Sequence, residues 1–115
     1  VRHFDVCLIP FRMNELTRGV NPVKLFEYFA MGKSVVSAPL PDVLAYERLC
    51  VVVPDSPGAL VEGIARALAE RQNAARSRQL AAERMAVARQ STWAARVSAV
   101  SELIAHALAI RSKRP

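Results

Sequence analysis

The amino-acid sequence predicts an α/β fold with a small, doubly wound parallel sheet of about three strands, followed by C-terminal helices. Apolar runs at 4–11, 34–38 and 50–54 are typical of strands that are covered on both faces. Helical segments alternate with these runs, which favours parallel pairing of the strands. After residue 72 the pattern is helical only. We therefore divide the chain into an α/β domain at 1–72 and a basic helical segment at 73–115.

The first strand leads through a polar loop, 12–21, into a helix with clear start and stop signals. Asn21 is placed to cap this helix, and Pro22 can occupy its first position, where an N–H group is not needed. Gly32 is expected to end the helix in the left-handed conformation. A short helical turn over 42–49 then joins the second and third predicted strands.

Three more helices are predicted in the rest of the chain, and the middle one is expected to pack weakly. Ser56 and Pro57 begin the first of them, and its inner stripe is expected to be Leu60, Ile64, Ala67 and Leu68. The following segment, 73–90, is rich in Ala and Arg, so we expect it to be a weak packing partner. A last helix is expected to start at Ser91 and to bury Trp93, Val97, Val100, Ile104 and Leu108, with a frayed tail at 111–115.

The charge of the chain is concentrated in its second half. Residues 1–65 carry a net charge of −1, and residues 66–115 carry +7. A surface that binds nucleic acid usually interleaves aromatic and basic residues, but Trp93 is the only aromatic residue after Tyr46. We therefore expect no nucleic-acid partner. An anionic membrane surface and a merely solvated face are both open alternatives for the basic segment.

The cysteines and the chain ends carry less information. Cys7 and Cys50 lie far apart in apolar runs, which favours buried thiols in a reducing cytoplasm over a disulfide or a metal site. No uninterrupted apolar stretch reaches the roughly 18 residues that cross a bilayer. The sequence has no initiator Met and opens almost directly on a strand, so we expect it to be part of a longer chain.

The helix that follows the polar loop carries the best candidate site. Its start is expected at the carboxyl edge of the sheet, where Gly19 and Val20 lead into free backbone amides and Lys24 adds a positive charge, a combination suited to a phosphate. Glu27 lies on the same face as Lys24, and its carboxylate would suit a pair of ribose hydroxyls. The competing interpretation is an exposed ion pair worth a few tenths of a kcal/mol.

A block of motifs sharpens this interpretation. The run "NPVKLFEYFAMGKSVVSAPLPDV", preceded by "DVCLIPF" and followed by "VVVPDSPGALVEGIARAL", resembles the donor-binding C-terminal portion of the retaining GT-B glycosyltransferases of family 4, or group 1. The resemblance covers 4–71 well and extends loosely to the last helix through "STW". It implies a partial Rossmann-like sheet that is the second half of a GT-B C-terminal domain.

The resemblance also implies an activity and a set of binding residues. The family transfers a sugar from a nucleoside-diphosphate sugar to an acceptor hydroxyl with retention and without a metal, and the donor is a substrate rather than a cofactor. Such enzymes act on glycans or lipid-linked sugars in polysaccharide biosynthesis, in the cytoplasm or at the inner face of the membrane. By resemblance Glu27 binds the ribose, and the diphosphate is held by the backbone amides of Val20, Asn21, Val23 and Lys24.

The sequence departs from the family at one position in particular. Gly19 stands where the family commonly has a glutamate near the transferred sugar, so we expect Glu15, Thr17 or Asn21 to recognise the sugar instead. Pro22 cannot donate an amide hydrogen bond. The basic residues for the leaving group, the base-reading loop and the acceptor domain would lie upstream of Val1, in an N-terminal domain of the same protein, so no catalytic residue is assigned and these 115 residues alone are expected to be inactive.

Two alternatives to a transferase are open. A GT-B sugar-nucleotide epimerase would share the ribose and diphosphate contacts. A non-enzymatic α/β regulatory or binding module of the receiver type would need a cluster of acidic residues for magnesium, but Asp5, Asp42 and Asp55 are scattered along the sequence.

Overall fold

The computed structural model describes residues 2–114 and shows an α/β chain with a parallel, open sheet and helices on both of its faces. Its elements in order are β1 (Val6–Ile9), α1 (Glu15–Arg18), α2 (Val23–Ala30), β2 (Ser34–Ser37), α3 (Pro41–Leu44), β3 (Val51–Val52), α4 (Pro57–Glu70), α5 (Ala74–Gln90) and α6 (Trp93–Ser112).

The three strands lie in the order β1, β2, β3, and both neighbouring pairs are parallel. Val6 is opposite Ser34 at the start of β1, and Val36 is opposite Val51 at the start of β3. The predicted α/β class and the three parallel strands are therefore confirmed, although each strand is shorter than its apolar run. All four residues of β2 are buried, as expected of a central strand.

The two faces of the sheet form two apolar clusters. On one face, Val35 of β2 packs with Leu25 and Phe29 of α2 in a cluster that Leu80 of α5 also joins. On the other face, Val36 packs with Val53 and with Ala67 of α4. Since Val35 and Val36 are adjacent in sequence and point to opposite faces, the fully buried strand has helices on both sides.

The signals that begin and end the first two long helices act as predicted, with one correction. The Ser56 hydroxyl caps α4 by accepting from the amide of Ala59, and Gly32 follows α2 with a φ of 68°. The amides of Gly32 and Lys33 bond back to the last turn of α2, which is the Schellman arrangement. The correction concerns the start of α2: Pro22, predicted at the first helical position, occupies the cap position predicted for Asn21, and no side chain caps this helix.

Helix α4 packs against β2 through a glycine. Gly63 is buried, and a Cβ atom there would lie 2.8 Å from a methyl carbon of Val36 and from one of Val53. Of the predicted inner stripe, Ala67 is buried and both Leu60 and Ile64 are half-buried. The prediction for Leu68 is wrong, because this side chain is exposed to solvent. Gly63 lies at the centre of the contact instead, because only a residue without a side chain allows α4 to approach β2 so closely.

Helix α5 is a full member of the core, which corrects the prediction that it would be a weak partner. It packs along α2, and it buries Leu80 together with Arg84. The Arg84 guanidinium forms an ion pair with Glu70 and donates to the carbonyl of Leu49 through Nε, at 2.8 Å. An arginine therefore joins α5 to α4 and to the segment before β3.

Helix α6 is the largest departure from the sequence expectation. None of its residues is buried, and Trp93, Val97, Val100, Ile104 and Leu108 are all at least half exposed. It begins at Trp93 with Thr92 as its cap, and it continues to Ser112, so the predicted frayed tail is helical for two of its residues. By length and composition alone, the 20-residue helix α6 is apolar enough to cross a membrane.

Both cysteines are free and buried, as predicted. Burial raises the pKa of the Cys50 thiol to about 11, and it also raises the pKa of Cys7. Both thiols therefore stay protonated at neutral pH and act as small apolar residues.

Candidate functional site

The candidate site is the start of α2 and the segment that leads into it. This segment runs from the end of β1 to Pro22, and it contains the short helix α1 where the sequence predicts only a polar loop. Asn14 caps α1 by accepting from the amide of Thr17, and the Thr17 hydroxyl accepts in turn from the amide of Asn14. This reciprocal capping box gives the segment a defined shape rather than a flexible one.

One further hydrogen bond lies within this segment, and another fixes it to the body of the protein. The Thr17 hydroxyl lies 2.7 Å from the carbonyl oxygen of Arg12. The amide of Met13 donates to Oδ2 of Asp55 at 2.7 Å, which joins the segment after β1 to the segment after β3. Because both segments leave the carboxyl ends of parallel strands, β1 and β3, the lead-in to α2 is held at that edge of the sheet.

The three residues predicted to contact the sugar, Glu15, Thr17 and Asn21, differ in whether their side chains are free to bind a ligand. The Thr17 hydroxyl is engaged in the capping of α1, so it is the least available of the three. Glu15 is the first residue of α1 and Asn21 directly precedes the cap of α2, and both side chains are exposed. Gly19 ends α1 with a φ of −90°, and a Cβ atom there would meet nothing closer than a carbonyl oxygen at 3.8 Å.

The amides predicted for the diphosphate divide into two kinds. The amide of Val20 donates to the carbonyl oxygen of Thr17 at 3.1 Å, so it is already used within the chain. The amides of Asn21, Val23 and Lys24 donate to no acceptor within residues 2–114. The free donors are therefore those of α2 itself and of the residue before its cap, which is where a helix attracts an anion.

Lys24 and Glu27 both lie on the exposed side of α2, and no ion pair or hydrogen bond joins them to each other or to another side chain in the described part of the chain. The predicted exposed Lys–Glu pair is therefore not formed. Both charges are free to meet a ligand. Glu27 lines a pocket of about 270 Å³ between α2 and the junction of α5 with α6.

The opposite wall of this Glu27 pocket comes from residues that the sequence interpretation left out of the site. Ser91, Thr92, Trp93 and Arg96 line it from the α6 side. The Arg96 guanidinium lies over two aromatic rings, 5.1 Å from the centre of Phe26 and 5.6 Å from that of Trp93. The only sequence signal for this wall of the pocket is the presence of an aromatic and a basic residue, Trp93 and Arg96, at the start of α6. Their contact with α2 could not be predicted, because about seventy residues of sequence separate them from it.

No family model, no curated protein and no solved structure matches this chain.

The chemistry open to the site follows from its donors and charges. Free amides and Lys24 at one end of α2 can bind anionic oxygens, and the Glu27 carboxylate can accept hydrogen bonds from hydroxyl groups one turn away. Within residues 2–114 no three His, Cys, Asp or Glu side chains come together in a way that could hold a metal ion. The arrangement can therefore accommodate a ligand that has an anionic end and a hydroxyl-bearing end.

A second pocket lies at the carboxyl edge of the sheet, on the side of α4. It has a volume of about 430 Å³ and lies between the residues after β1, such as Arg12, and the start of α4 at Ser56 and Pro57. Asp55 lines it as well, but one of its carboxylate oxygens is engaged by the amide of Met13. This pocket does not include Lys24 or Glu27, so the candidate ligand residues belong to the opposite side of the sheet.

Proposed function

We propose that this chain carries part of the donor site of a glycosyltransferase of the GT-B, retaining type, which transfers a sugar from a nucleoside-diphosphate sugar to an acceptor hydroxyl. The diphosphate binds at the free amides of Asn21, Val23 and Lys24 and near the Lys24 ammonium group. The ribose hydroxyls donate to Glu27. The observation that carries this proposal is that the Lys24 and Glu27 charges are exposed, unpaired and one helical turn apart at a helix start with free amides.

The parallel sheet supports the same proposal. Open α/β sheets bind ligands at the carboxyl ends of their strands, and the lead-in to α2 is held at that edge by Met13 and Asp55. The motif resemblance around Glu27 supplies the choice of a nucleotide sugar among ligands with an anionic end and hydroxyl groups. The internal bond of the Val20 amide removes that residue from the proposed diphosphate contacts.

In the mechanism that this site serves, the protein stabilises negative charge on the departing diphosphate. Helix-start amides and positive side chains stabilise charge that develops in the transition state, because they are oriented before the reaction starts. Residues outside this chain would complete the acceptor site and the remaining leaving-group contacts. We therefore expect no sugar transfer by residues 1–115 alone, and measurable transfer by them would contradict this division of the site.

The test is donor binding by the intact protein to which this chain would belong. Titration calorimetry with nucleoside-diphosphate sugars should show binding that Glu27→Ala weakens by about tenfold or more, the size expected for losing hydrogen bonds to a charged acceptor. Glu62→Ala is the matched control, since Glu62 is an exposed glutamate on α4 that lines none of the pockets around α2. Unchanged donor affinity in Glu27→Ala would remove the assignment of the ribose contact.

A further inference from the structure

The side chain of Arg96 stands between two pockets that border the proposed donor site. It lines the Glu27 pocket of about 270 Å³. It also lines a more open pocket of about 630 Å³, whose walls include Asn21 and Tyr46. Arg96 therefore lies beside the residue proposed for the ribose and also beside a residue proposed for the diphosphate, although it is about seventy positions away in sequence.

The guanidinium of Arg96 is held by aromatic rings. It lies 5.1 Å from the centre of the Phe26 ring and 5.6 Å from that of the Trp93 ring, both within the roughly 6 Å over which a cation is attracted to an aromatic face. Phe26 is fixed in its turn by an edge-on contact with Tyr46, with 5.7 Å between ring centres. These contacts orient the arginine without using its N–H groups.

The hydrogen-bonding groups of Arg96 remain available. Its guanidinium takes part in no ion pair and no hydrogen bond within residues 2–114, whereas Arg48, Arg71 and Arg84 each pair with a carboxylate. A guanidinium has only donors, and its planar fork matches two oxygens of a phosphate. An arginine that is oriented by rings and lacks a carboxylate partner is suited to an anion that arrives from outside.

We propose that Arg96 binds the diphosphate of the nucleotide-sugar donor, and that Trp93 is a positioning residue that holds its guanidinium over α2. This inference rests on the proposed donor site. In a nucleoside-diphosphate sugar the first phosphate is attached to the ribose, so a cation in the same pocket as the ribose-binding carboxylate meets phosphate oxygens. The C-terminal helix α6 thus supplies a leaving-group contact from within this chain.

The test compares a nucleoside with its diphosphate in the intact protein. Uridine and UDP, guanosine and GDP, and adenosine and ADP are titrated against the wild type, and the pair with the tightest diphosphate is used for the variants. Arg96→Met keeps the aliphatic stem but removes the charge and the donors. It should lower the affinity for the diphosphate by about ten- to a hundredfold and leave the affinity for the nucleoside within about twofold.

Other variants separate this inference from the proposed function. Glu27→Gln should weaken the nucleoside and the diphosphate by the same factor, because both contain the ribose. Arg96→Lys keeps a charge without the fork and should fall between wild type and Arg96→Met. Trp93→Leu keeps apolar bulk, and it should weaken only the diphosphate, by less than Arg96→Met does. Arg111→Met and Leu103→Ala are the controls on α6, since both residues are exposed and line neither pocket.

The outcomes are distinct. The inference is overturned if Arg96→Met binds the diphosphate as the wild type does, and also if it loses nucleoside and diphosphate affinity equally, which would indicate a contact to the base or the ribose. Circular dichroism and the thermal midpoint identify any variant that fails to fold, in which case Arg96→Lys, with its smaller change, decides the question. Failure of the wild type to bind any nucleoside diphosphate would instead contradict the proposed function.

Discussion

Arg84 and Glu70 form a bidentate ion pair inside the protein, with Nη1 2.9 Å from Oε1 and Nη2 2.9 Å from Oε2. Their side chains are only 3% and 13% exposed. Ser34 donates to the same carboxylate, and Leu49 accepts from Nε of the arginine. One buried arginine therefore joins α5, the end of α4, the start of β2 and the segment before β3.

The first prediction concerns the removal of this arginine. Arg84→Met leaves the Glu70 carboxylate buried without its partner, and breaking a buried pair in this way typically costs about 3–5 kcal/mol. The free energy of unfolding from urea titration of the full chain should fall by about that amount. Arg89→Met, at an exposed position one turn and a half further along α5, should change it by less than about 0.5 kcal/mol. Equal, small effects of the two variants would contradict the structural role of Arg84.

The second prediction is the pH dependence that the pair introduces. Burial raises the pKa of Glu70, but the hydrogen bonds and charge of Arg84, with smaller contributions from Ser34 and Arg76, outweigh it and leave the pKa below the ordinary 4.5. Since the folded pKa is the lower one, the stabilisation is complete above the unfolded value and is lost as the pH falls through the folded value. The unfolding free energy should therefore decrease on acidification below about pH 4.5.

The control for this pH dependence is Glu70→Gln, which cannot titrate. Its stability should be lower than that of the wild type at pH 7 and should change less between pH 5 and the acid limit of the measurement. The quantity to compare is the difference in unfolding free energy between the wild type and Glu70→Gln at each pH. A constant difference over this range would mean that the folded pKa of Glu70 is not lowered.

The third prediction uses two glycines of α4 as a matched pair. A Cβ atom at Gly63 would approach methyl carbons of Val36 and Val53 to 2.8 Å, so Gly63→Ala should destabilise the chain by about 1–3 kcal/mol through overpacking. At Gly58 the same atom meets nothing within 4 Å, so Gly58→Ala should be neutral or stabilise by up to about 1 kcal/mol. Thermal unfolding of both variants tests this contrast, and the reverse order would contradict the packing of α4 on β2.

The fourth prediction concerns the shape of the lead-in to α2. Asp55→Ala removes the acceptor for the Met13 amide, and Thr17→Val removes the hydroxyl that accepts from the Asn14 amide in the capping box and donates to the Arg12 carbonyl. Each change should destabilise by about 0.5–2 kcal/mol, the range for a lost cap. In hydrogen exchange, the amides of Met13 and Asn14 should exchange faster in these variants, while amides of β2 should not. Unchanged exchange at Met13 in Asp55→Ala would contradict the anchor.

Much of the α/β part was predictable because its signals are local. Ser56 and Pro57 begin α4 and Gly32 ends α2 through groups only a few residues away, so sequence spacing alone indicates them. The buried arginine was not predictable in this way. Arg84 is compatible with the interior only because Glu70 and Leu49, 14 and 35 positions away, provide its partners.

For the last helix, α6, the sequence predicts the element but not its burial. Apolar residues such as Val97 and Ile104 recur at helical spacing, and this pattern predicts an apolar face but does not say what covers it. In the structure this face is exposed. Within the candidate site, the spacing of Lys24 and Glu27 on one helix predicts that they share a face, whereas Arg96 lines the Glu27 pocket only because the junction of α5 and α6 lies against α2.

A thermodynamic cycle that changes both the ligand and the protein tests whether Glu27 accepts hydrogen bonds from the ribose of a nucleotide. The affinities of a nucleoside diphosphate and of its 2′-deoxy analogue are measured by calorimetry in the wild-type intact protein and in Glu27→Gln. We expect the wild type to bind the deoxy analogue about tenfold more weakly or worse, and Glu27→Gln to bind the two ligands equally within about twofold. The same loss of affinity for the deoxy analogue in both proteins would exclude a hydrogen bond from the ribose to Glu27.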